Sequence, residues 1–264
     1  MKLSTDKMLA EVKNGVGWMT FNHPERRNAL KMEMTAAIPE ILEGFAADDA
    51  VRVLVMKGAG DRAFVSGADI SEFEDRRSSP ETIAKFDEAG ARMAAAFSEF
   101  SKPIVAMIRG FAMGGGLMMA MRADIRIAAD DAQFGIPAAR LGLGYGYQGV
   151  ENLVTLVGPA YAREILLTGG RFDAEAALRM GLVNRVVSVE QLEAEVLTVA
   201  GAIAENAPLT MGALRASVQE ALKPAQDRDL THIADMVADC FASEDYIEGR
   251  RAFMEKRRPR FVGR

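Results

Sequence analysis

The sequence contains very little cysteine and histidine. Cys240 is the only cysteine among 264 residues, and His23 and His232 are the only histidines. A single cysteine excludes an intrachain disulfide and a cysteine-based metal site, and it fits a reducing compartment such as the cytoplasm. The two histidines lie too far apart in sequence to form a local metal motif, so no metal site is predicted.

Long apolar runs and an excess of positive charge are also missing. The longest apolar run, Phe111–Met121, stops at Arg122 and falls well short of the ~20 residues that span a bilayer. No apolar core follows the first charged residues, so we expect no secretion signal. The formal net charge of −5 is not that of a protein that binds nucleic acid or anionic membrane. We therefore expect a cytoplasmic protein with neither nucleic acid nor membrane as a partner.

The most distinctive stretch is Gly110–Met119, which contains three consecutive glycines, Gly114–Gly116. An apolar run that predicts a buried strand precedes the stretch, and a helical pattern follows it. Bare backbone N–H groups at the start of a helix attract negative charge, so this turn can hold a phosphate or stabilise an oxyanion. A phosphate loop would continue with Lys and then Ser or Thr, whereas this chain has Leu117 and Met118. The oxyanion interpretation leads, and a glycine turn that only permits close packing stays open.

Strand and helix patterns alternate along most of the chain, and only helical patterns follow Val189. Strands are predicted at Met8–Val12, Val16–Phe21, Val51–Met56, Ala63–Ile70, Pro103–Ile108, Asp124–Ala128 and Leu182–Val187. Helices are predicted after a cap at Asn28, then at Glu81–Phe100, Leu117–Ala123, Val150–Val157 and Ala160–Leu167, and after a cap at Asp173. Gln133–Pro137 is predicted to be a turn, and residues 71–80 a mobile loop. This order predicts an α/β core followed by a helical layer.

Seven segments carry a family resemblance. They are Asn22–Leu30, Ala63–Ile70, Pro103–Ala106, Gly110–Gly116, Ala132–Pro137, Gly181–Val187 and Phe253–Pro259. In this order and spacing they resemble the enoyl-CoA hydratase/isomerase family, also called the crotonase family, over nearly the whole chain. The resemblance implies an α/β fold, a crotonase-like spiral of ββα units. It also implies an acyl-CoA-binding core at residues 1–200, a helical oligomerisation region at residues 201–264, and a homotrimer or homohexamer.

The resemblance also implies the substrate and the residues that bind it. Family members hold the carbonyl oxygen of an acyl-CoA thioester between two backbone N–H groups, which here belong to Ala68 and Gly115. Two such donors would stabilise the enolate oxygen that forms when charge moves onto the thioester. A bend of small residues at Gly67-Ala68 is the simpler alternative. Coenzyme A is part of the substrate, and no separate cofactor is expected. The family's coenzyme A contacts map onto Arg26, Arg27, Ser66, Ala68, Asp69, Ile70 and Gly114, with Phe253 and Lys256 from a neighbouring subunit.

The chain departs from the family at the positions that supply the acid and the base. Hydratases of the family use two glutamates to add water to a conjugated double bond, and the matching positions here are Met118 and Ala138. Neither side chain can give or take a proton. A position that carries an acidic residue in some dienoyl isomerases falls on Gly146. Hydration by the two-glutamate mechanism is therefore not expected, although the overall resemblance is to a hydratase.

Tyr145 is the candidate for the chemistry that remains. It lies in a Leu-Gly-x-x-Tyr context resembling that of a functional tyrosine in the family's decarboxylases, which act on methylmalonyl-CoA. Decarboxylation needs a stabilised enolate rather than a strong base. Three functions stay open: a lyase or isomerase that acts on acyl-CoA, a decarboxylase that uses Tyr145, and a non-catalytic acyl-CoA-binding protein. A Tyr145 that only packs within its loop is the simpler interpretation.

Overall fold

A computed structural model of the chain describes residues 1, 3–72 and 79–264, except for the side chain of Ile70. The strands are β1 (Met8–Lys13), β2 (Val16–Phe21), β3 (Val53–Gly58), β4 (Ala63–Val65), β5 (Ile104–Ile108), β6 (Phe111–Met113), β7 (Ile125–Ala129), β8 (Gln133–Gly135), β9 (Phe172–Asp173) and β10 (Arg185–Val187). The helices are α1 (Met32–Ala47), α2 (Pro80–Glu99), α3 (Gly115–Ala120), α4 (Tyr147–Thr168), α5 (Ala174–Arg179), α6 (Leu192–Ala204), α7 (Pro208–Leu222), α8 (Leu230–Ala242) and α9 (Glu244–Met254). Residues 73–78, which belong to the predicted mobile loop, lie outside the described residues.

The chain contributes strands to two sheets in turn. A six-stranded sheet has the order β1-β2-β3-β5-β7-β10, and a four-stranded sheet has the order β4-β6-β8-β9. Strands β3 and β4 precede α2, β5 and β6 precede α3, and β7 and β8 precede α4. Each ββα unit thus adds one parallel strand to each sheet before its helix. The α/β class and the spiral of ββα units are confirmed.

Alternate residues of the large sheet pack into two different cores, as the twofold period of a strand requires. Leu54 and Met56 of β3 face the main core, which lies between the two sheets and helices α1 and α4. Val53 and Val55 face the other way and pack against α6. The residues of α6 that cover this face are Leu192, Val196, Val199, Ala200 and Ile203. Burial on both faces explains why these strands are nearly continuous apolar runs in the sequence.

The short strands of the small sheet differ from the predictions. Gln133–Pro137, predicted as a turn, begins with β8, which pairs in parallel with β6. The strand predicted at Ala63–Ile70 ends at Val65, because the chain then passes through Gly67 with a φ of +121°. Three residues are too few to show an alternating pattern. Strands β6 and β8 therefore form because they pair across the sheet, and not because of local propensity.

The predicted helix cap at Asn28 is wrong, because α1 begins four residues later. Asn28 is fully buried with a φ of +55° and joins three parts of the backbone. Its side-chain oxygen accepts a hydrogen bond from the N–H of His23 at 2.9 Å. Its amide group donates to the carbonyls of Ala59 and Ala63 at 2.9 and 2.8 Å. Asn28 therefore fixes the loop before α1 against the start of β4.

Replacing Asn28 by alanine is expected to lower the free energy of unfolding by about 2–3 kcal/mol, because it leaves one buried N–H and two carbonyls unpaired. Urea unfolding followed by circular dichroism measures this change. Asn22→Ala is the matched control, since Asn22 is partly exposed and donates only to the carbonyl of Asp6. Equal losses in the two variants would contradict the role given to Asn28.

The C-terminal helices leave much apolar surface uncovered. Exposed fractions reach 64% for Val218, 62% for Phe241, 82% for Phe253 and 80% for Met254. A cavity of about 810 Å³ opens between α7, α8 and α9. Within the described chain, none of the helices has the length and apolar character needed to cross a membrane.

Candidate active site

Two cavities meet at Ala68 and Gly115. The first has a volume of about 320 Å³ and the second about 230 Å³, and both residues line both cavities. The first is lined by Ser66, Gly67, Ala68, Met113, Gly114, Gly115, Ile136, Pro137, Ala138, Leu141, Leu143, Gly144 and Tyr145. The second is lined by Leu30, Met32, Thr35, Ala68, Phe86, Ala89, Gly90, Met93, Gly115, Met118, Met119 and Arg122. The sequence-predicted pair therefore lies at the junction of one composite site.

The N–H of Ala68 faces away from the nearest strand-like segment. Ala68 forms an isolated parallel bridge with Leu30. The N–H of Leu30 donates to the carbonyl of Gly67, and the N–H of Asp69 donates to the carbonyl of Leu30. Because successive N–H groups of an extended chain point to opposite sides, the N–H of Ala68 points away from Leu30. It has no acceptor among the described residues.

The N–H of Gly115 is the first of helix α3. The first N–H groups of a helix have no carbonyl within the helix to bind, so this donor is also available. A Cβ built on Gly115 would lie 3.7 Å from the nitrogen of Ala68, which places the two backbone groups side by side. The helix dipole adds partial positive charge at the same point. Two converging N–H groups suit an oxygen that gains negative charge.

The adjacent Gly116 has a different reason to be glycine. A Cβ on Gly116 would lie 1.9 Å from the carbonyl oxygen of Val65, so α3 rests directly on the backbone of β4. This contact brings the start of the helix against the segment that carries Ala68. Close packing, one of the two explanations offered for the glycine turn, therefore applies to Gly116, and the oxyanion interpretation stays a prediction for Gly115.

The sequence model of the enoyl-CoA hydratase/isomerase family matches residues 11–264. The chain belongs to this family. It is 35% identical over 262 residues to the crotonyl-CoA hydratase of Syntrophomonas wolfei, covering 99% of this chain and all of that relative. It is 34% identical to the carnitinyl-CoA dehydratase of Citrobacter koseri, covering 93% of this chain and 94% of the relative. The fold is similar to the crystal structure of an enoyl-CoA hydratase/carnithine racemase from Magnetospirillum magneticum, with a TM-score of 0.93, 33% identity and coverage of 99% and 97%.

Tyr145 is the one tyrosine among the described residues that line the first cavity. Burial raises the pKa of Tyr145 to about 12, so the hydroxyl stays protonated at neutral pH. No hydrogen-bond partner for this hydroxyl is found in the described part of the chain, and the ring packs against the main core. Tyr145 can therefore donate a hydrogen bond to a bound anion, but it cannot act as a general base near pH 7.

Neither cavity has a carboxylate among its described lining residues. Ala138 lines the first cavity and Met118 the second, so both positions that the resemblance assigns to acid and base belong to the site. Their side chains cannot exchange protons. Apart from Tyr145, the polar side chains of the two linings are Ser66, Thr35 and Arg122. The site thus combines two adjacent backbone N–H donors with walls that are mostly apolar.

The predicted coenzyme A residues near the N-terminus flank the first cavity. Ser66 and Gly114 line it. The hydroxyl of Ser66 donates to the carbonyl of Arg26, and its N–H donates to the carbonyl of Arg27. The guanidinium of Arg27 lies 5.3 Å from the ring centre of Phe111. Both arginines are exposed beside the cavity, where they can reach an anionic group outside it.

Asp69 holds its own loop. Its carboxylate accepts hydrogen bonds from the N–H and the hydroxyl of Ser71, at 3.0 and 2.7 Å. Burial alone would raise the pKa of Asp69, but the hydrogen bonds from Ser71 and the nearby charges of Lys31 and Arg26 together lower that pKa. The residue is ionised and committed to the loop, and it does not line either cavity. Ile70 begins a 3-10 turn, and its side chain lies outside the described part of the structure.

Phe253 and Lys256 lie apart from Ala68 and Gly115 in the single chain. Phe253 lines the cavity between the C-terminal helices, and Lys256 follows α9 with a φ of +53°. The neighbouring Arg257 forms ion pairs with Glu248 and Glu255 of the same chain. The structure therefore does not bring the two residues to the site within one chain.

The loop before α4 has space for side chains. Gly144 lines the first cavity, and neither Gly144 nor Gly146 has an atom within 4 Å of a built Cβ. Neither residue has the positive φ that would demand glycine.

Arg122 is a residue of the site that the sequence analysis did not predict. The sequence offers one weak signal for it, which is that this charged residue ends an apolar run a few positions after Gly115.

Proposed function

We propose that the protein acts on an acyl-CoA thioester and stabilises an enolate oxygen between the N–H groups of Ala68 and Gly115. The observation that carries this proposal is a pair of backbone donors, at the junction of two cavities, for which the described residues provide no acceptor. Membership of an acyl-CoA family supports the same substrate class. Preorganised donors of this kind contribute several kcal/mol to a step that places charge on oxygen. We expect a reaction of lyase or isomerase type.

A second candidate, decarboxylation, is favoured by the environment of Tyr145. In that reaction the bond between the α-carbon and its carboxylate breaks, and its electron pair moves into the thioester to give an enolate. Carbon dioxide leaves, and a proton then adds to the α-carbon. The protonated phenol suits the first cavity as a hydrogen-bond donor that orients the carboxylate. No general base is needed, which agrees with the absence of carboxylates from the described lining of the cavities.

Mass spectrometry of a mixed pool of crotonyl-, methylmalonyl- and longer enoyl-CoA, incubated with the purified protein, tests these alternatives. Loss of carbon dioxide would support decarboxylation. Gain of water would contradict decarboxylation. It would also require that other residues supply the acid and the base, because Met118 and Ala138 cannot. Unchanged thioesters that bind to the protein would identify a non-catalytic acyl-CoA-binding protein.

Replacing Tyr145 by phenylalanine is expected to lower kcat for decarboxylation by about 10–100-fold, because the variant loses the hydrogen-bond donor. Steady-state kinetics with methylmalonyl-CoA measure the change. Tyr147→Phe is the control, since Tyr147 is 77% exposed and donates to Glu151 outside the cavity. Full turnover by the Tyr145 variant would leave that residue with a packing role only.

We also propose that copies of this chain assemble as a homotrimer or a homohexamer through the C-terminal helices. The exposed apolar residues of these helices, including Phe253 and Met254, support this. Assembly would allow Phe253 and Lys256 to reach the coenzyme A of a neighbouring subunit. Light scattering on the purified protein distinguishes three copies from six.

A further inference from the structure

Arg122 brings a positive charge to the second cavity. It lies two residues after the end of helix α3 and lines the cavity together with Met93, Met118 and Met119. It is half-buried, and its guanidinium lies 5.8 Å from the ring centre of Phe97. No ion pair joins it to any acidic side chain among residues 3–72 and 79–264. Among the described lining residues of this cavity, which are mostly apolar, Arg122 is thus the one cation.

Burying a charge without a partner is unfavourable, because water is lost and nothing replaces it. Desolvation accordingly lowers the pKa of Arg122, although an arginine stays charged at any physiological pH. The helix dipole and the ring of Phe97 stabilise the cation in part. Neither one uses the five N–H donors of a guanidinium, which fit a carboxylate in a bidentate pair. The cavity is therefore suited to an anionic group that arrives with a ligand.

The position of Arg122 relates this anion to the reacting carbonyl. Gly115 begins α3, and Arg122 lies two residues past the end of that helix. Both residues line the second cavity, so they border the same space. Ala68 and Gly115 line both cavities, so an acyl chain held at these residues can enter the second one.

We propose that Arg122 binds a carboxylate at the far end of the acyl chain, so that the preferred ligands are coenzyme A thioesters of dicarboxylic acids. This inference rests on the proposed binding of an acyl-CoA at Ala68 and Gly115. It does not depend on which bond of the substrate is broken. The methionines around Arg122 contact the methylene groups between the two ends of the chain.

Isothermal titration with paired thioesters tests the inference on the intact protein. Adipoyl-CoA and hexanoyl-CoA have the same chain length, but the acyl chain of adipoyl-CoA ends in a carboxylate and that of hexanoyl-CoA in a methyl group. Suberoyl-CoA and octanoyl-CoA form a longer pair of the same kind. We expect the dicarboxylic member of at least one pair to bind about tenfold or more tightly. In Arg122→Met this preference is lost, whereas the affinity for the neutral thioester is kept. In Arg122→Lys, which keeps the charge without the bidentate geometry, part of the preference remains.

The possible failures can be told apart. Equal affinity for both members of each pair in the unmodified protein would overturn the inference and leave acyl-CoA binding intact. Failure of every thioester to bind would overturn the proposed function itself. A preference that survives in a folded Arg122→Met would place the carboxylate elsewhere. Should this variant not fold, the comparison of paired thioesters in the unmodified protein and in Arg122→Lys still decides the question.

Discussion

Replacing Gly115 by proline is expected to lower kcat by about 10²–10³-fold on whichever thioester the protein converts, because the change removes one of the two proposed oxyanion donors. The fold should survive this change. Proline is favoured at the first position of a helix, where its missing N–H has no helical partner, and Gly115 occupies that position in α3. A Cβ at this position meets only ordinary van der Waals contacts, the nearest at 3.7 Å.

Gly115→Ala is the matched control for this variant. Alanine adds the same Cβ but keeps the N–H, so the difference in kcat between the proline and alanine variants isolates the donor. Thermal unfolding of both variants verifies that the fold is kept. If the proline variant turned over substrate as fast as the alanine variant, the oxyanion role of Gly115 would be wrong.

Replacing Gly116 by alanine is expected to lower the free energy of unfolding by at least about 4 kcal/mol. The new Cβ would lie 1.9 Å from the carbonyl oxygen of Val65 and 2.7 Å from its carbonyl carbon. These are backbone atoms of β4 and cannot rotate aside, so α3 or the strand must move. Urea unfolding followed by tryptophan fluorescence measures the loss, since Trp18 is buried in the large sheet.

The neighbouring Gly115→Ala serves as the stability control, because it adds the same methyl group one residue earlier in the same helix. We expect its free energy of unfolding to stay close to that of the unmodified protein. Loss of stability in both variants alike would mean that the helix start, rather than the contact with Val65, is sensitive to substitution.

Much of the fold could be predicted because its long strands and helices carry strong periodic patterns. The cap at Asp173 is a local signal, and the structure contains it. The small sheet was harder to predict, since its strands are two or three residues long and form only by pairing with one another. Asn28 was misassigned because its amide bonds to carbonyls that lie 31 and 35 residues away, which no local rule detects.

The two candidate oxyanion donors could be predicted from the sequence, because they are backbone groups; their role stays a prediction. The glycines at the start of α3 indicate a place for an oxyanion, and the structure sets Ala68 beside them. Arg122 could not be predicted in the same way, because its meaning depends on what surrounds it. A cation that ends an apolar run is usually solvated, and only the folded chain sets Arg122 beside Phe97 of α2, where it lines a cavity.

The open space at Gly144 gives this protein a route to new chemistry. A Cβ can be added there without displacing a neighbouring atom or straining the backbone, and it would border the first cavity. Acquiring an acid or a base at this loop is therefore nearly independent of keeping the fold. The donors at Ala68 and Gly115 belong to the backbone, so they persist whichever side chain is introduced. Evolution, or a directed library at this position, can change the reaction one substitution at a time.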